Sequence, residues 1–321
     1  MPVTKPVPII SARASVTTCT TRRDVLRLGV SAAGLSLLPS VALLADGIRT
    51  RVIPSSGVAL PVIGLGTSRV FDVGEDPVDR AQCRAVLAAL IDAGGSLVDS
   101  SPMYRRAEAV SGDLAHELQM SDRVFWATKV WANGRESGIE QMEQSMRLFR
   151  TDRIDLMQVH NLRDWRVHMP VLREWKAAGR IRYIGITHSR AAAFGDLEEV
   201  INATDLDFVQ LNYSLGEREA EQRLLPLCAD KGIATLINRP FARGELFARL
   251  GQTELPDWAA DFDATTWGQF FLKFILAHPA ATCAIPATRN VTHMLDNIGA
   301  GLGELPDEGQ RRAMIAFFDT L

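Results

Sequence analysis

From Arg51 onward the chain alternates between short apolar, β-branched runs and segments of ten to fifteen residues with apolar positions at helical spacing. The apolar runs predict strands over 63–65, 97–100, 124–129, 154–159, 182–186, 208–211, 233–237 and 282–285. The periodic segments predict helices over 79–93, 139–149, 169–178, 191–202, 217–230 and 265–277, several stopped by a glycine: Gly94, Gly179 and Gly232. Eight βα units in about 275 residues predict a (β/α)8 barrel. Ahead of the first barrel strand, "RVIPSSGVALPVIG" reads as an N-terminal β-hairpin turning at Ser56–Gly57, placed to plug the barrel floor. A doubly wound open sheet is the competing architecture and would carry a glycine-rich dinucleotide turn after its first strand. "GLGTSR" lacks the third glycine, so Gly64 and Gly66 read as positions of close backbone approach.

The first 45 residues do not share this alternation. Arg22 and Arg23 stand just ahead of a mildly apolar, Ala/Gly/Leu-rich run over 28–45, the order of an export signal, and the stretch resembles a twin-arginine signal peptide. The alternative, an amphipathic N-terminal helix, is weakened by Pro39 and the small residues. Residues 1–45 are therefore expected to be a signal and residues 46–321 the barrel. That implies the Tat export machinery as partner of the precursor, a periplasmic location, and no membrane span after processing.

Composition narrows the classes of function. With 321 residues, 47% hydrophobic and 23% charged, the chain can bury one large core. Its formal charge of −3 becomes about −7 once the basic leader is set aside, which excludes a broad basic surface for nucleic acid. Cys83, Cys228 and Cys283 outside the leader are widely spaced and odd in number, so they read as small buried hydrophobes.

In a (β/α)8 barrel the reactive groups belong where strands end and βα loops begin. Asp99 closes the second predicted strand, Lys129 the third and His160 the fourth, and Tyr104 lies on the loop after the second. Singly, each has a bland reading as a rim charge, a structural histidine or a turn cap. Together they do not, because a lysine buried after four apolar residues needs a partner and Asp99 on the next strand supplies one. Asp99 would hold Lys129, whose ammonium would lower the affinity of Tyr104 for its proton, and His160 would orient a substrate oxygen. Such a set suits proton donation to a carbonyl.

The Asp, Tyr, Lys and His positions resemble the catalytic tetrad of the aldo-keto reductases. The likeness covers 51–300 and includes "GRIRYIGITHS", "DFVQLNYSL", "LLPLCADKGIATLINRPFARGEL" and "CAIPATRNVTHMLDNI", in the family's order. It implies reduction of aldehyde or ketone carbonyls by hydride transfer with NADPH, NADH being possible, and Tyr104 as general acid. It further implies that Thr187 and Gln210 bond the nicotinamide carboxamide, that Tyr213 stacks on the ring, and that Arg239 and Gly244 contact the pyrophosphate. Thr288, Arg289 and Asn297 would hold the adenosine end, with Arg289 on the 2′-phosphate.

The chain departs from the family at His188, where an asparagine is usual for the carboxamide contact, and at Ala287 and His293, where many members have Lys and Arg. Met103, Trp131, Asn161 and Phe241 are candidates to line the substrate pocket, while Trp165 and Trp267 read as packing residues. Two other classes are weighed. Metal-dependent hydrolysis would need clustered His and carboxylates at strand ends, and of six His only His160 and His188 fall there. A non-catalytic, NADPH-loaded sensor or partner-binding subunit would not require the intact tetrad.

Overall fold

The computed structural model describes residues 47–321. The segment read as an export signal lies outside the described residues, as does the boundary expected after residue 45.

A two-residue-period stretch forms the antiparallel hairpin of β1 (Thr50–Val52) and β2 (Ala59–Pro61). Its turn is tied by Ile53 N–H to Val58 O and by Gly57 N–H to Ile53 O, with Gly57 at φ +73. Glycine reaches that left-handed region at no steric cost, which is why the chain turns there. Eight parallel strands follow in sequence order: β3 (Leu65–Gly66), β4 (Leu97–Asp99), β5 (Phe125–Val130), β6 (Ile154–His160), β7 (Ile181–Thr187), β8 (Phe208–Asn212), β9 (Ala234–Asn238) and β10 (Cys283–Ala284). The first and last meet through a parallel bridge between Ile63 and Ala284, with Gly64 N–H donating to Ala284 O and Gly66 N–H to Pro286 O. The sheet thus closes as expected for the (β/α)8 barrel. A Cβ on Gly64 would sit 2.9 Å from Leu97 O, and one on Gly66 2.8 Å from Ile285 O, so both glycines serve close backbone approach at the closure.

The helices are α1 (Pro77–Asp92), α2 (Ala107–Glu117), α3 (Arg135–Phe149), α4 (Trp165–Ala177), α5 (Phe194–Ala203), α6 (Leu224–Asp230), α7 (Glu245–Leu250), α8 (Trp267–Leu276), α9 (Val291–Gly299) and α10 (Glu308–Asp319). The helix expected over 217–230 is shortened. Glu217 folds back to pair its backbone with Ser214 and sends its carboxylate to Asn212 and Arg239, so regular helix begins only at Leu224.

Because the parallel sheet is covered on both faces, its strands are apolar throughout rather than alternating. The inward side chains form one core, in which Ile53 and Leu60 of the hairpin meet Leu97, Phe125, Leu156 and Phe208. Ser56 Oγ lies 2.8 Å from Tyr183 Oη, so the hairpin closes the floor and leaves only the opposite rim open to ligand. The second, larger core lies between sheet and helices. Arg51 bonds the carbonyls of Leu276, His278, Pro279 and Ala281, satisfying the C-terminal end of α8 and fixing the hairpin to it.

Candidate active site

Register places the ionisable strand ends side by side: Gly66 opposite Asp99, Lys129 opposite Gln158, and His160, Thr187 and Gln210 in one row. Lys129, fully buried, donates from Nζ to Asp99 Oδ2 at 2.7 Å and to Ser100 O at 2.6 Å. The other oxygen of Asp99 accepts from Gln210 Nε2 at 2.8 Å and from Gln158 Nε2 at 3.2 Å. Burial opposes the charge on Lys129, but Asp99 and Tyr104 outweigh it and hold the ammonium more firmly than in water.

Tyr104 ends a single 3-10 turn, Pro102–Tyr104, whose start is capped by Ser101: its Oγ accepts from Met103 N–H at 3.2 Å. Lys129 Nζ lies 5.1 Å from the centre of the phenol ring. Burial pushes the phenol up, and Lys129 pulls it back only in part, so Tyr104 holds its proton more tightly than a free tyrosine. The sequence-based expectation of a net fall gives way to a net rise, because burial costs the phenolate more than the ammonium returns. Ser101 Oγ is also 3.0 Å from His160 Nδ1. A serine hydroxyl donates one hydrogen bond and accepts two, so beside the bond from Met103 N–H it can donate to Nδ1 or accept from it; donation to Nδ1 is the arrangement that leaves Nε2 carrying the imidazole hydrogen. Burial first, then Lys129 and His188, drive His160 down to about 3, so it is neutral.

These groups stand at the base of a cavity of about 1080 Å³. Of the residues singled out from sequence, Asp99, Met103, Tyr104, His160, Asn161, Thr187, His188, Gln210, Arg239, Phe241, Gly244, Thr288 and Asn297 border it, and Lys129 stands immediately behind. Three others do not. Tyr213 is wholly enclosed, with its ring against Phe274 and His278 and its hydroxyl bonded to Glu221 and Arg311, so it has no face to offer a ligand ring. Arg289 forms an ion pair with Asp79 of α1 at 3.1 Å and does not border the cavity. Trp131 lies off the wall as well, with the Arg163 guanidinium 4.6 Å from its ring. Trp267, read as a packing residue, packs on Phe270 and Phe271 and also borders the cavity. Thr187 and Gln210 face the mouth but are bonded to one another, Oγ1 to Oε1 at 3.0 Å.

Sequence reasoning missed Ser101 and Gln158, whose contacts cross from one strand end to another, and Asn238, Arg190, Arg243 and Phe247 in the wall. The paired serines Ser100 and Ser101 ahead of Tyr104, and the glutamine two residues before His160, are the signals that could have found the first two.

The wall has two characters. Arg69, Arg190, Arg239 and Arg243 give the lining cationic groups, and Val70, Met103, Phe241 and Phe247 give it apolar ones. Three buried polar atoms of wall residues, His188 Nδ1, Asn238 Oδ1 and Arg239 Nε, have no hydrogen-bond partner. At Gly244, φ +95, a Cβ would enter open space. Orphaned polar atoms and four guanidinium groups in the lining suit a ligand carrying amide and phosphate groups. Among the described residues no group of three or more His, Cys, Asp or Glu is placed to hold a metal, and no helix is long and apolar enough to cross a membrane.

A closed eight-stranded barrel with a Tyr–Lys–Asp–His cluster at its open rim defines a barrel oxidoreductase of the kind that works on a bound nucleotide. The chain belongs to the aldo/keto reductase family, whose sequence profile matches residues 62–313. It is 29% identical over 250 residues to the methylglyoxal reductase YeaE of Escherichia coli, across 76% of this chain and 86% of that protein. It is 26% identical to the NADH-specific methylglyoxal reductase of Escherichia coli, across 64% of this chain and 71% of that one. Among solved structures, an aldo-keto reductase from Klebsiella pneumoniae in complex with NADPH superposes with a TM-score of 0.69 at 26% identity, covering 84% of this chain and 95% of that one.

Proposed function

We propose that the protein is an NADPH-dependent carbonyl reductase, able also to take NADH, that converts aldehydes or ketones to alcohols. The observation that carries this reading is the placement of Tyr104, Lys129, Asp99 and His160 at the base of one cavity. Support also comes from the relatives: the Klebsiella protein is described with NADPH, and two Escherichia coli proteins are named methylglyoxal reductases, one of them NADH-specific.

His188 and Asn238 would hold the cofactor's amide, Arg190, Arg239, Arg243 and the open backbone at Gly244 its phosphates, and Thr288 and Asn297 its adenosine end. Bound there, a reduced nicotinamide supplies the hydride. The chain supplies the proton and the orientation. His160 Nε2–H and Tyr104 Oη–H both donate to the carbonyl oxygen, which polarises the carbonyl and fixes its direction. As negative charge develops on that oxygen, Tyr104 gives up its proton, and the Lys129 ammonium stabilises the phenolate left behind. Asp99, held by two amides and Lys129, keeps the ammonium from turning away. The apolar lining residues Val70, Met103, Phe241 and Phe247 would exclude water and take the substrate's carbon skeleton.

Following nicotinamide absorbance on mixing purified protein with NADPH and a panel of aromatic and short-chain aldehydes tests this. Turnover is expected, and Tyr104→Phe should lower kcat by about 10²–10⁴-fold. Unchanged turnover in that variant would remove Tyr104 from the acid role, and tight NADPH binding with no turnover would point to a sensor. We further propose export by the twin-arginine route, supported by Arg22 and Arg23 ahead of the apolar run. Replacing both with Lys should hold the protein in the cytoplasmic fraction, and unaltered periplasmic recovery would overturn the assignment.

A further inference from the structure

The reaction sketched above makes no use of a second buried carboxylate. Glu108 lies on α2, the helix that starts three residues after Tyr104, and only 1% of it is exposed. It sits on the outer side of the sheet, where Thr128 Oγ1 donates to its Oε1 at 2.5 Å. Thr128 precedes Lys129 in β5, and successive residues of a strand face opposite sides, so the same peptide directs Lys129 inward to Tyr104 and Thr128 outward to Glu108. A separate pocket of about 370 Å³, open to solvent between α2, α3 and the 3-10 turn of Tyr104, reaches Glu108 from the outside. No other carboxylate of the described residues combines such burial with the absence of any cationic hydrogen-bonding partner.

We propose that Glu108 is a positioning residue for the mouth: a carboxylate reached by solvent through its own pocket, whose charge sets how strongly Lys129 acidifies Tyr104. The inference rests on the reading of Tyr104 as the acid. When Glu108 is ionised, its charge opposes the Lys129 field and the phenol keeps its proton more firmly. When it is protonated, only Asp99 opposes the ammonium and Tyr104 is the stronger acid. Burial drives Glu108 up to about 7, against the pull of Thr128, Ser145 and Lys129, so the change falls in the neutral range. The charged groups facing it are Lys129 from β5, Arg105 from the 3-10 turn, and Glu140 and Arg147 from α3. Asp113, Glu117 and Arg80 form their own ion pairs along α1 and α2, with Arg150 also on Asp113. The side pocket shares no lining residue with the mouth, so it offers Glu108 a route for proton exchange that bound cofactor and substrate would not block.

The chain has three tyrosines, so subtracting the Tyr104→Phe titration from that of the intact protein isolates the phenolate absorbance of Tyr104. With Glu108→Gln, close in shape to the protonated acid, this titration is expected to move to lower pH by roughly half a unit. In kcat for aldehyde reduction, the intact protein should show a fall of about two- to fivefold as pH rises through neutrality, absent in Glu108→Gln. Thr128→Val, which removes the donor favouring the charged form, should move that fall to higher pH. A role limited to packing would alter unfolding temperature and leave both titrations in place. An identical Tyr104 titration in Glu108→Gln, with Tyr104→Phe inactive, overturns the inference and leaves the proposed function standing; full activity in Tyr104→Phe overturns the function itself.

Discussion

Lys129 shows how much one residue here depends on its neighbours. Its ammonium is enclosed, bonded to Asp99 and to Ser100 O, and faces the Tyr104 ring. Lys129→Met would leave Asp99 with amide donors only, and a buried carboxylate robbed of its cation costs about 3–5 kcal/mol. Both unfolding midpoint in denaturant and kcat should therefore fall, kcat by a further factor beyond any loss of folded protein because the phenolate loses its stabiliser. A variant that keeps wild-type turnover would contradict the role given to Lys129. His160 makes the opposite case. Held down to about 3 by burial and by Lys129, it stays neutral through the working range, so no limb of the kcat profile between pH 5 and 8 should vanish in His160→Gln. The tetrad was readable from the sequence because each member is an ionisable side chain at or just past the end of an apolar run. Tyr213 was misplaced from sequence for a physical reason. It is enclosed and claimed by Arg311, 98 positions away, and no local pattern encodes so distant a partner.

At the scale of the elements, α2 matters more than its modest amphipathicity suggests. It follows the Tyr104 turn directly, carries Glu108, and packs against α3 so closely that a Cβ on Gly112 would lie 2.0 Å from Leu148 O and 2.7 Å from Phe149 Cα. Backbone cannot yield as a side chain can, so Gly112→Ala should cost about 1–3 kcal/mol and displace α2 outward. Thermal unfolding gives the first quantity, and the loss of the Thr128–Glu108 hydrogen bond should appear as a changed pH dependence of kcat. An unchanged unfolding temperature would show that the two helices separate freely. The alternation of apolar runs found the strands within a residue or two, since a strand buried on both faces is apolar along its length. It did not single out α2, in which the glycine and serine that permit close packing dilute the apolar stripe.

For the whole molecule, Glu108 links stability to pH. A carboxyl near 4.5 when unfolded and about 7 when folded binds more protons in the folded state between those values. Its contribution is therefore fully present below pH 4.5 and lost as pH rises through 7, a change of about 3 kcal/mol across that interval. Glu108→Gln should flatten this part of the stability curve, so that the variant gains on the parent as pH rises from about 5 to 8. Parallel curves for the two proteins would mean that Glu108 is already ionised in the fold at the acid end of that range.

Taken alone, the order of apolar and polar residues determined the eight-unit barrel, the hairpin beneath it, and which side chains end strands at the rim, because those properties follow from local periodicity and from the cost of burying polar groups. Only the tertiary structure decided which rim residues face the cavity, that Ser101 reaches His160, and that two glutamines share Asp99 with Lys129. Those outcomes depend on strand register and on contacts between residues far apart in the chain, where a rotation of one side chain changes its partner without changing any pattern in the sequence.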